Sequence, residues 1–432
     1  MTNGYINGNS RGRGTVVITK ERFQAICLVL LIAATTVLLV MRDVNGTAIN
    51  KYIFVAIALA GAVVLPLEKF TYLMCFFFPL YVGLPGNYIT LIYLAKFIPK
   101  LPQLKLRGGN LLAALAVSMF TLLQNMFFGQ MGLVQMMVIP GVFLILLLFS
   151  DLVEFNSSKL ALFFALGTAA VGLIMLFATL NEYDMTDLLN LSTRLGATNT
   201  EYTDEEIMNV SIDPNYFGMF ALTVISTAIP LLFRKKTSKA TKLLLLASTV
   251  ACIAVALIGL SRTFLLVLFV WIVLYLLSQR NFKSLILTVV LIVIGAFLVT
   301  TFLPDVWDTL LARFKDADMA TANNRTEIIR KFLPMWLENL GSAMFGVGMF
   351  NCNVHCMPLQ YLFGGGLVLS GFMLAFAFTL FNGSNRRHTF AEYLPMLTVV
   401  ALSFTLPMAN LLNFMFPIVY AGLYIKHLKS TD

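Results

Sequence analysis

Apolar runs of roughly 20 residues recur along most of this chain, and they constrain its fold more than any other feature. A segment inside a lipid bilayer must satisfy its own backbone hydrogen bonds, so only helices and closed barrels span membranes. The chain is 59% hydrophobic and only 12% charged, whereas about 25% of the residues of a soluble domain are charged. We therefore expect an all-α polytopic membrane protein.

The runs predict about 12 to 14 transmembrane helices. Two neighbouring runs, 70–84 and 86–98, are short and are separated by a Gly-Leu-Pro-Gly turn. They form either a tilted hairpin or a re-entrant one, and in both cases the chain returns to the side that it left. The complete set of runs is 24–41, 51–67, 70–84, 86–98, 109–127, 131–149, 159–180, 213–233, 242–259, 261–278, 283–303, 357–381, 391–406 and 408–425.

The distribution of basic residues predicts the orientation. Lysine and arginine concentrate in the cytoplasmic loops of membrane proteins. With the N-terminus in the cytoplasm, the inner segments hold 21 of the 30 basic residues but only 6 of the 21 acidic ones. The net charge is then +15 inside and −6 outside, which together give the +9 of the chain. Both termini are therefore predicted to be cytoplasmic, and the positive charge needs no nucleic-acid partner.

The polar segments are too short to fold as separate domains. We expect a disordered cytoplasmic tail, 1–22, followed by a single membrane domain, 23–432. Basic residues precede the first apolar run, as in a signal peptide, but no small-x-small cleavage site follows before Arg42, so the run is interpreted as an uncleaved anchor. Two predicted outer loops, 181–212 and 304–356, are longer than connections need to be, which indicates functional or disordered segments.

The second outer loop contains a predicted amphipathic helix. Ile328, Ile329, Phe332 and Trp336 recur at helical spacing among charged residues, a pattern typical of helices that lie on a membrane surface. Pro334 would kink this helix or limit it to two short turns.

Arginines in the outer segments are notable because positive charge is depleted there. Arg194, Arg313, Arg325 and Arg330 either pair with neighbouring acids in solvated loops or converge on a pyrophosphate, whose oxygens suit the planar guanidinium group. Arg262 lies between two apolar runs with almost no loop, where a charge is costly unless it is paired or faces a wet cavity. The alternative for this side chain is snorkelling to the outer headgroups.

Histidine is rare in the chain, and His355 is the only one of three that the topology assigns to the outer face. Its imidazole could act as a general base on a sugar hydroxyl, or it could make a structural hydrogen bond at the start of a helix. The adjacent Cys352 and Cys356 could form a disulfide in an oxidising compartment. A metal site would need three or four ligands, and no second Cys/His pair lies on that face.

Asp213-Pro214-Asn215 begins the eighth apolar run. Proline in the first turn and an acid at the N-terminus are ordinary helix-start chemistry, so this segment has a structural explanation as well as a functional one. The chain has no Walker loop, no dinucleotide fingerprint and no paired-carboxylate glycosidase pattern.

The order of these outer residues resembles the signatures of the O-antigen polymerase and O-antigen ligase superfamily, membrane glycosyltransferases of bacterial envelopes. The layout is similar too, with many apolar helices and two outer loops of which the larger is near the C-terminus. The matching segments are Arg325 followed by Trp336 and Gly346-x-Gly348, His355 with Leu359-Gln360, Arg330 with Gly341 after ten residues, Arg194 followed by Asp213-Pro214-Asn215, and Ser261-Arg262.

The resemblance implies a metal-independent, inverting glycosyltransferase without a cofactor. Its donor would be an oligosaccharide linked to undecaprenyl pyrophosphate at the outer face of the bacterial inner membrane, with the polyprenyl tail in a groove between helices. The implied site residues are His355 as the base, Arg194, Arg262 and Arg325 on the pyrophosphate, Arg330 positioning a substrate, and Asp213 and Asn215 in substrate binding.

The chain also departs from the family pattern. Cys356 replaces the usual Asn after the histidine, and Gly364 or Gly365 stands where the family often has Glu. The Arg-x10-Gly spacing and the lack of an appended soluble domain favour a polymerase over a ligase, which would use lipid A core as acceptor. A lipid-linked oligosaccharide flippase is the alternative from another class, but it predicts short outer loops and internal repeats. The acceptor and any chain-length regulator are left open.

Overall fold

A computed structural model gives the fold of the chain. It describes 19–105, 108–129, 133–184, 195–196, 210–234, 236–259, 261–278, scattered helical positions between 286 and 308, 325–349, 351–352, 354–382, 390–406 and 412–428.

Helices make up almost all of this described part. They are α1 (Lys20–Asp43), α2 (Tyr52–Val64), α3 (Leu67–Leu80), α4 (Gly86–Ala95), α5 (Gly108–Phe128), α6 (Leu133–Leu147), α7 (Ser157–Leu180), α8 (Pro214–Leu232), α9 (Lys239–Ile258), α10 (Arg262–Ser278), α11 (Arg325–Leu337), α12 (Leu340–Phe345), α13 (Met357–Asn382), α14 (Phe390–Ser403) and α15 (Leu412–Lys426). Short 3-10 turns follow α4 and α6, and two-residue strands β1 (Leu195–Gly196) and β2 (Ser211–Ile212) pair antiparallel.

Six of the described helices are long and apolar enough to cross a membrane, namely α1, α5, α7, α8, α9 and α13. Four more, α2, α10, α14 and α15, contain shorter apolar stretches of 10–17 residues. The prediction of an all-α membrane protein is therefore confirmed at this level. The predicted run 283–303 lies mostly outside the described residues, and so does the tail up to residue 18. Helix α1 begins at Lys20, so its first turn overlaps the predicted tail, 1–22.

The short hairpin is formed by α3 and α4. With ten residues, α4 is about 15 Å long, half of the roughly 30 Å of a bilayer core. All but two residues of α3 are buried, so this helix packs inside the bundle rather than against lipid.

The core is built around α7, which packs against α3, α8, α9 and α15. Small residues let these helices approach closely, as is common between membrane helices. A Cβ atom on Gly167 of α7 would lie 2.2 Å from the carbonyl oxygen of Phe76 of α3. Hydroxyls add polar contacts: Tyr420 of α15 donates a hydrogen bond to Oγ1 of Thr227 of α8 at 2.8 Å.

Contacts between helix ends define two ends of the bundle. Arg42 at the end of α1 contacts Gly83 after α3, and Asn181 at the end of α7 contacts Val44. We call this the outer end, because the sequence predicts that it faces outward. At the opposite, inner end Lys69 at the start of α3 contacts the first turn of α1.

Candidate functional site at the outer end

The N-termini of α8 and α10 meet at the outer end. Asp213 caps α8, and its carboxylate accepts a hydrogen bond from the backbone N–H of Asn215 at 2.8 Å. Ser261 caps α10, and its hydroxyl accepts from the backbone N–H of Phe264 at 3.2 Å while it donates to Oδ1 of Asn215 at 2.7 Å. The two segments singled out in the sequence, Asp213-Pro214-Asn215 and Ser261-Arg262, are thus in direct contact.

Arg262 is the first residue of α10 and is half-buried. Within the described part of the chain, its guanidinium has no carboxylate or other hydrogen-bond partner. A helix N-terminus carries partial positive charge, and here two N-termini and an arginine come together. A phosphate or pyrophosphate group is the kind of ligand that such a site attracts.

A buried ion pair that the sequence analysis missed lies at the same end. Arg42 and Asp43 pair through two hydrogen bonds of 2.8 and 2.9 Å, with side chains that are 0% and 1% exposed. Arg42 also donates to the carbonyl oxygen of Gly83 at 2.9 Å, and Asp43 accepts from the backbone N–H of Val210 at 3.4 Å. This pair connects the α1 terminus to the segment that leads into α8. An adjacent Arg-Asp pair at the end of an apolar run was the available signal.

The second group of outer residues surrounds a break in α13. Gly366 has φ +72° and ψ −176°, which interrupts the helix. The carbonyl groups of Phe363 and Gly364 therefore lose their partners in the next turn. They accept instead from the backbone N–H groups of Val347 and Gly348, at 2.9 and 3.0 Å. The Gly-x-Gly turn of the outer loop is thus hydrogen-bonded to the broken helix.

This contact depends on glycines on both sides. A Cβ atom on Gly346 would lie 2.1 Å from the carbonyl oxygen of Gly364, and one on Gly364 would lie 2.7 Å from Cα of Met349. This close backbone approach explains Gly364, one of the two positions where the resemblance led us to expect an acid, and Gly366, whose Cβ would lie 2.3 Å from the carbonyl oxygen of Met344.

His355 lies at the start of α13, two residues before the helix begins, and its side chain is exposed. Its φ of +50° is the only positive φ of a non-glycine residue in the described part of the chain. Such conformations cost on the order of 1–3 kcal/mol and cluster at functional sites. The surrounding loop holds this side chain where solvent and ligands can reach it.

The predicted amphipathic helix exists as α11 and continues through Pro334, so the proline does not limit it to two short turns. Its apolar face packs on protein: Phe332 forms a small buried cluster with Cys352, Val354 and Phe363, so the helix lies on the start of α13. Arg325 begins α11, and Arg330 is exposed on it. Arg194 and Arg313 lie outside the described residues.

Buried side-chain amides lie next to the Gly-x-Gly turn. Gln124 of α5 donates to the carbonyl oxygen of Phe345, and Gln360 of α13 donates to that of Met349 at 3.1 Å. The amide oxygen Oε1 of each of these two side chains is buried without a partner among the residues that the structure describes, as is Oδ1 of Asn125. Sequence reasoning gave these residues no role.

An apolar groove of about 350 Å³ runs beside α13 and against α14 and α15. It begins at Met357 and Pro358, next to His355, and extends to Phe376 and Ala377. The side chains that line the groove are almost all apolar, so the groove suits a hydrocarbon chain.

Cys352 and Cys356 are both buried free thiols, so the disulfide considered in the sequence analysis is not formed. Burial raises the pKa of Cys352 to about 11. Groups of three or more His, Cys, Asp or Glu side chains that could hold a metal ion are absent from the described residues.

The site residues therefore fall into two sets. Asp213, Asn215, Ser261 and Arg262 lie together, and no hydrogen bond or ion pair of these described residues reaches His355.

No protein-family model and no curated protein matches the chain.

Proposed function

We propose that this protein is a bacterial surface-polysaccharide polymerase that transfers a glycan from undecaprenyl pyrophosphate to an acceptor sugar hydroxyl. The observation that carries the proposal is Arg262, a half-buried arginine without a described partner where two helix N-termini meet. A charge in this position is costly unless an anion balances it. The proposed location is the outer face of the inner membrane, with 12 to 14 transmembrane helices and cytoplasmic termini.

The apolar groove beside His355 supports a lipid-linked donor, because a polyprenyl tail needs an apolar surface close to the reacting headgroup. In the proposed reaction, the acceptor hydroxyl oxygen attacks C1 of the donor sugar and forms the new glycosidic bond with inversion. The bond from C1 to the pyrophosphate oxygen breaks, and undecaprenyl pyrophosphate leaves with the electron pair. His355 accepts the hydroxyl proton.

The proposed electrostatic role falls on the arginines. Arg262, with Arg194 and Arg325, would stabilise the charge that develops on the leaving pyrophosphate. Arg330 would position a substrate, and Asn215 would hold Ser261 and the α10 N-terminus in place through the contact described above. One donor molecule would span both sets of residues, with its pyrophosphate at Arg262 and its sugar at His355.

The experiment compares purified wild type with His355→Asn and Arg262→Gln in nanodiscs that contain a lipid-pyrophosphate-linked repeat unit. Asparagine tolerates positive φ better than alanine does, so His355→Asn removes the base and keeps the loop. Arg22→Gln, an exposed arginine at the inner end, is the matched control for Arg262→Gln.

We expect a product ladder with wild type and Arg22→Gln and a loss of at least about 100-fold with His355→Asn, which is typical of removing a general base. Donor consumption only when a lipid A core is present would identify a ligase instead. No donor consumption with either acceptor would contradict a transferase.

A further inference from the structure

A polar cavity of about 520 Å³ lies at the inner end of the bundle, far from the residues assigned to transfer. One ordered water needs only about 10–15 Å³ of such space, so the cavity can hold a ligand of many atoms. Its walls come from the start of α3, the segment before α7, the α8–α9 connection and the residue after α15. Its lining includes the polar and charged residues Glu68, Glu154, Ser158, Arg234, Lys236 and Thr237.

Hydrogen bonds preorganise one wall of this inner cavity. The hydroxyl of Tyr72 donates to Oε1 of Glu68 at 2.6 Å and accepts from the backbone N–H of Asn156 at 3.0 Å. Oδ1 of Asn156 then caps α7 by accepting from the backbone N–H groups of Ser158 and Lys159. The carboxylate and the N-terminus of a 24-residue helix are thereby held side by side.

Charges of both signs line the cavity. Glu68 and Glu154 would repel a simple phosphate, and Arg234 and Lys236 would repel a simple cation. A ligand with a phosphate and an ammonium group a few atoms apart matches both pairs. The helix N-terminus adds favourable charge for the phosphate.

Thr237 is a second, independent indication of a ligand. It lines the cavity and is only 8% exposed, yet its hydroxyl is buried without a hydrogen-bond partner in the described part of the chain. A buried hydroxyl without a partner costs roughly 1–3 kcal/mol, and a polar ligand in the cavity would remove that cost.

The surface next to the cavity is apolar and faces outward from the bundle. Phe233, beside Arg234, is 65% exposed, and Leu243 on the first turns of α9 is 68% exposed. In a membrane these side chains meet acyl chains. A ligand that places a headgroup in the cavity and its tails along α9 therefore fits better than a free metabolite.

We propose that the inner cavity binds the phosphate–ammonium headgroup of a zwitterionic phospholipid from the cytoplasmic leaflet. The Glu68 carboxylate holds the ammonium, and Lys236 holds the phosphate, which the partial positive charge of the α7 N-terminus also favours. This binding site is independent of the proposed transferase activity.

The test is native mass spectrometry of delipidated full-length protein titrated with dioleoyl-phosphatidylethanolamine or dioleoyl-phosphatidylglycerol. The variants are Glu68→Gln, which keeps an acceptor for Tyr72, together with Lys236→Gln and Thr237→Val. Glu21→Gln and Lys105→Gln make the same charge changes at exposed inner positions and are the controls. Thermal unfolding establishes that each variant is folded.

We expect wild type and the controls to bind the ethanolamine lipid about tenfold more tightly than the glycerol lipid, the effect of one charge-assisted hydrogen bond. Glu68→Gln removes that preference, whereas Lys236→Gln and Thr237→Val weaken binding of both lipids. Equal binding of both lipids by wild type would overturn the proposal, as would unchanged preference in Glu68→Gln. Full displacement by millimolar soluble phosphoethanolamine would show a site for a metabolite and overturn the lipid assignment.

Discussion

Gly366→Ala tests the broken helix on which the His355 region rests. The backbone of Gly366, at φ +72° and ψ −176°, occupies a region that essentially only glycine visits, at a cost of about 1–3 kcal/mol for another residue. The added Cβ would also lie 2.3 Å from the carbonyl oxygen of Met344 and 2.5 Å from the backbone nitrogen of Phe345. These are backbone atoms that cannot rotate away, and overpacking of this kind costs about 1–3 kcal/mol. We expect a total destabilisation of about 2–6 kcal/mol.

The matched control is Gly371→Ala in the same helix. Apart from the adjoining backbone of the helix, no heavy atom of the described residues lies within 4 Å of a Cβ at this position, and alanine is favoured over glycine within a helix by about 0.5–1 kcal/mol. Thermal unfolding can be followed with a thiol-reactive fluorophore, because Cys75 and Cys252 are fully buried in the folded protein. We expect Gly366→Ala to lower the melting temperature and Gly371→Ala to leave it unchanged or raise it. An equal effect of both substitutions would refute the close contact between the end of α12 and α13.

Three further predictions concern other parts of the molecule. Ser261→Ala removes the cap of α10 and the hydrogen bond to Asn215. It should lower the free energy of unfolding by about 1–2 kcal/mol and weaken donor binding. Ser278→Ala, at the other end of α10, should leave donor binding intact. Gly167→Ala pushes a methyl group into the backbone of α3 and should destabilise by about 1–3 kcal/mol. Gly109→Ala should be neutral, because its Cβ would meet no other described part of the chain within 4 Å, and similar melting temperatures of the two variants would contradict the packing. Burial lowers the pKa of His427 to about 4 from 6.5, so the unfolded chain binds more protons between these pH values and stability should fall by up to about 3 kcal/mol as the pH drops from 6.5 to 4. His427→Gln should reduce this fall in melting temperature, and an unchanged pH dependence would contradict it.

Burial lowers the pKa of His427 because the charged ring would lose its solvation, and the hydrogen bond to Ser150 opposes this only in part. The backbone N–H of Phe155 points at Nδ1 at 3.5 Å, so Nδ1 is the acceptor and Nε2–H donates to the carbonyl oxygen of Ser150 at 2.9 Å. Protonation of Nδ1 would place a proton against that N–H in a mostly buried site near Lys426. Nothing in the sequence around His427 indicates this, because its partners are more than 270 residues away along the chain.

The helix positions could be predicted because their causes are local. Hydropathy over about 20 residues decides whether a segment prefers lipid, and a capping side chain within a few residues decides where a helix begins. The predicted runs 159–180 and 261–278 accordingly agree with α7 and α10 to within a few residues. Ser261 is the N-cap of α10 and precedes Arg262, which the sequence analysis selected as a site residue. The sequence left open whether Pro334 would kink α11 or limit it to two short turns. The helix is continuous, because packing of Phe332 and Trp336 on α13 compensates for the lost hydrogen bond.

The sequence alone therefore determined that the chain is a helical membrane protein and which polar residues lie between its helices. The tertiary structure decided which of those residues meet. The contact between Asn215 and Ser261, the ion pair of Arg42 and Asp43 with its bond to Gly83, and the docking of the Gly-x-Gly turn on α13 all join segments that are far apart in the sequence. Such contacts depend on the complementary shapes of two backbones, and no local pattern of hydropathy or charge encodes both partners at once.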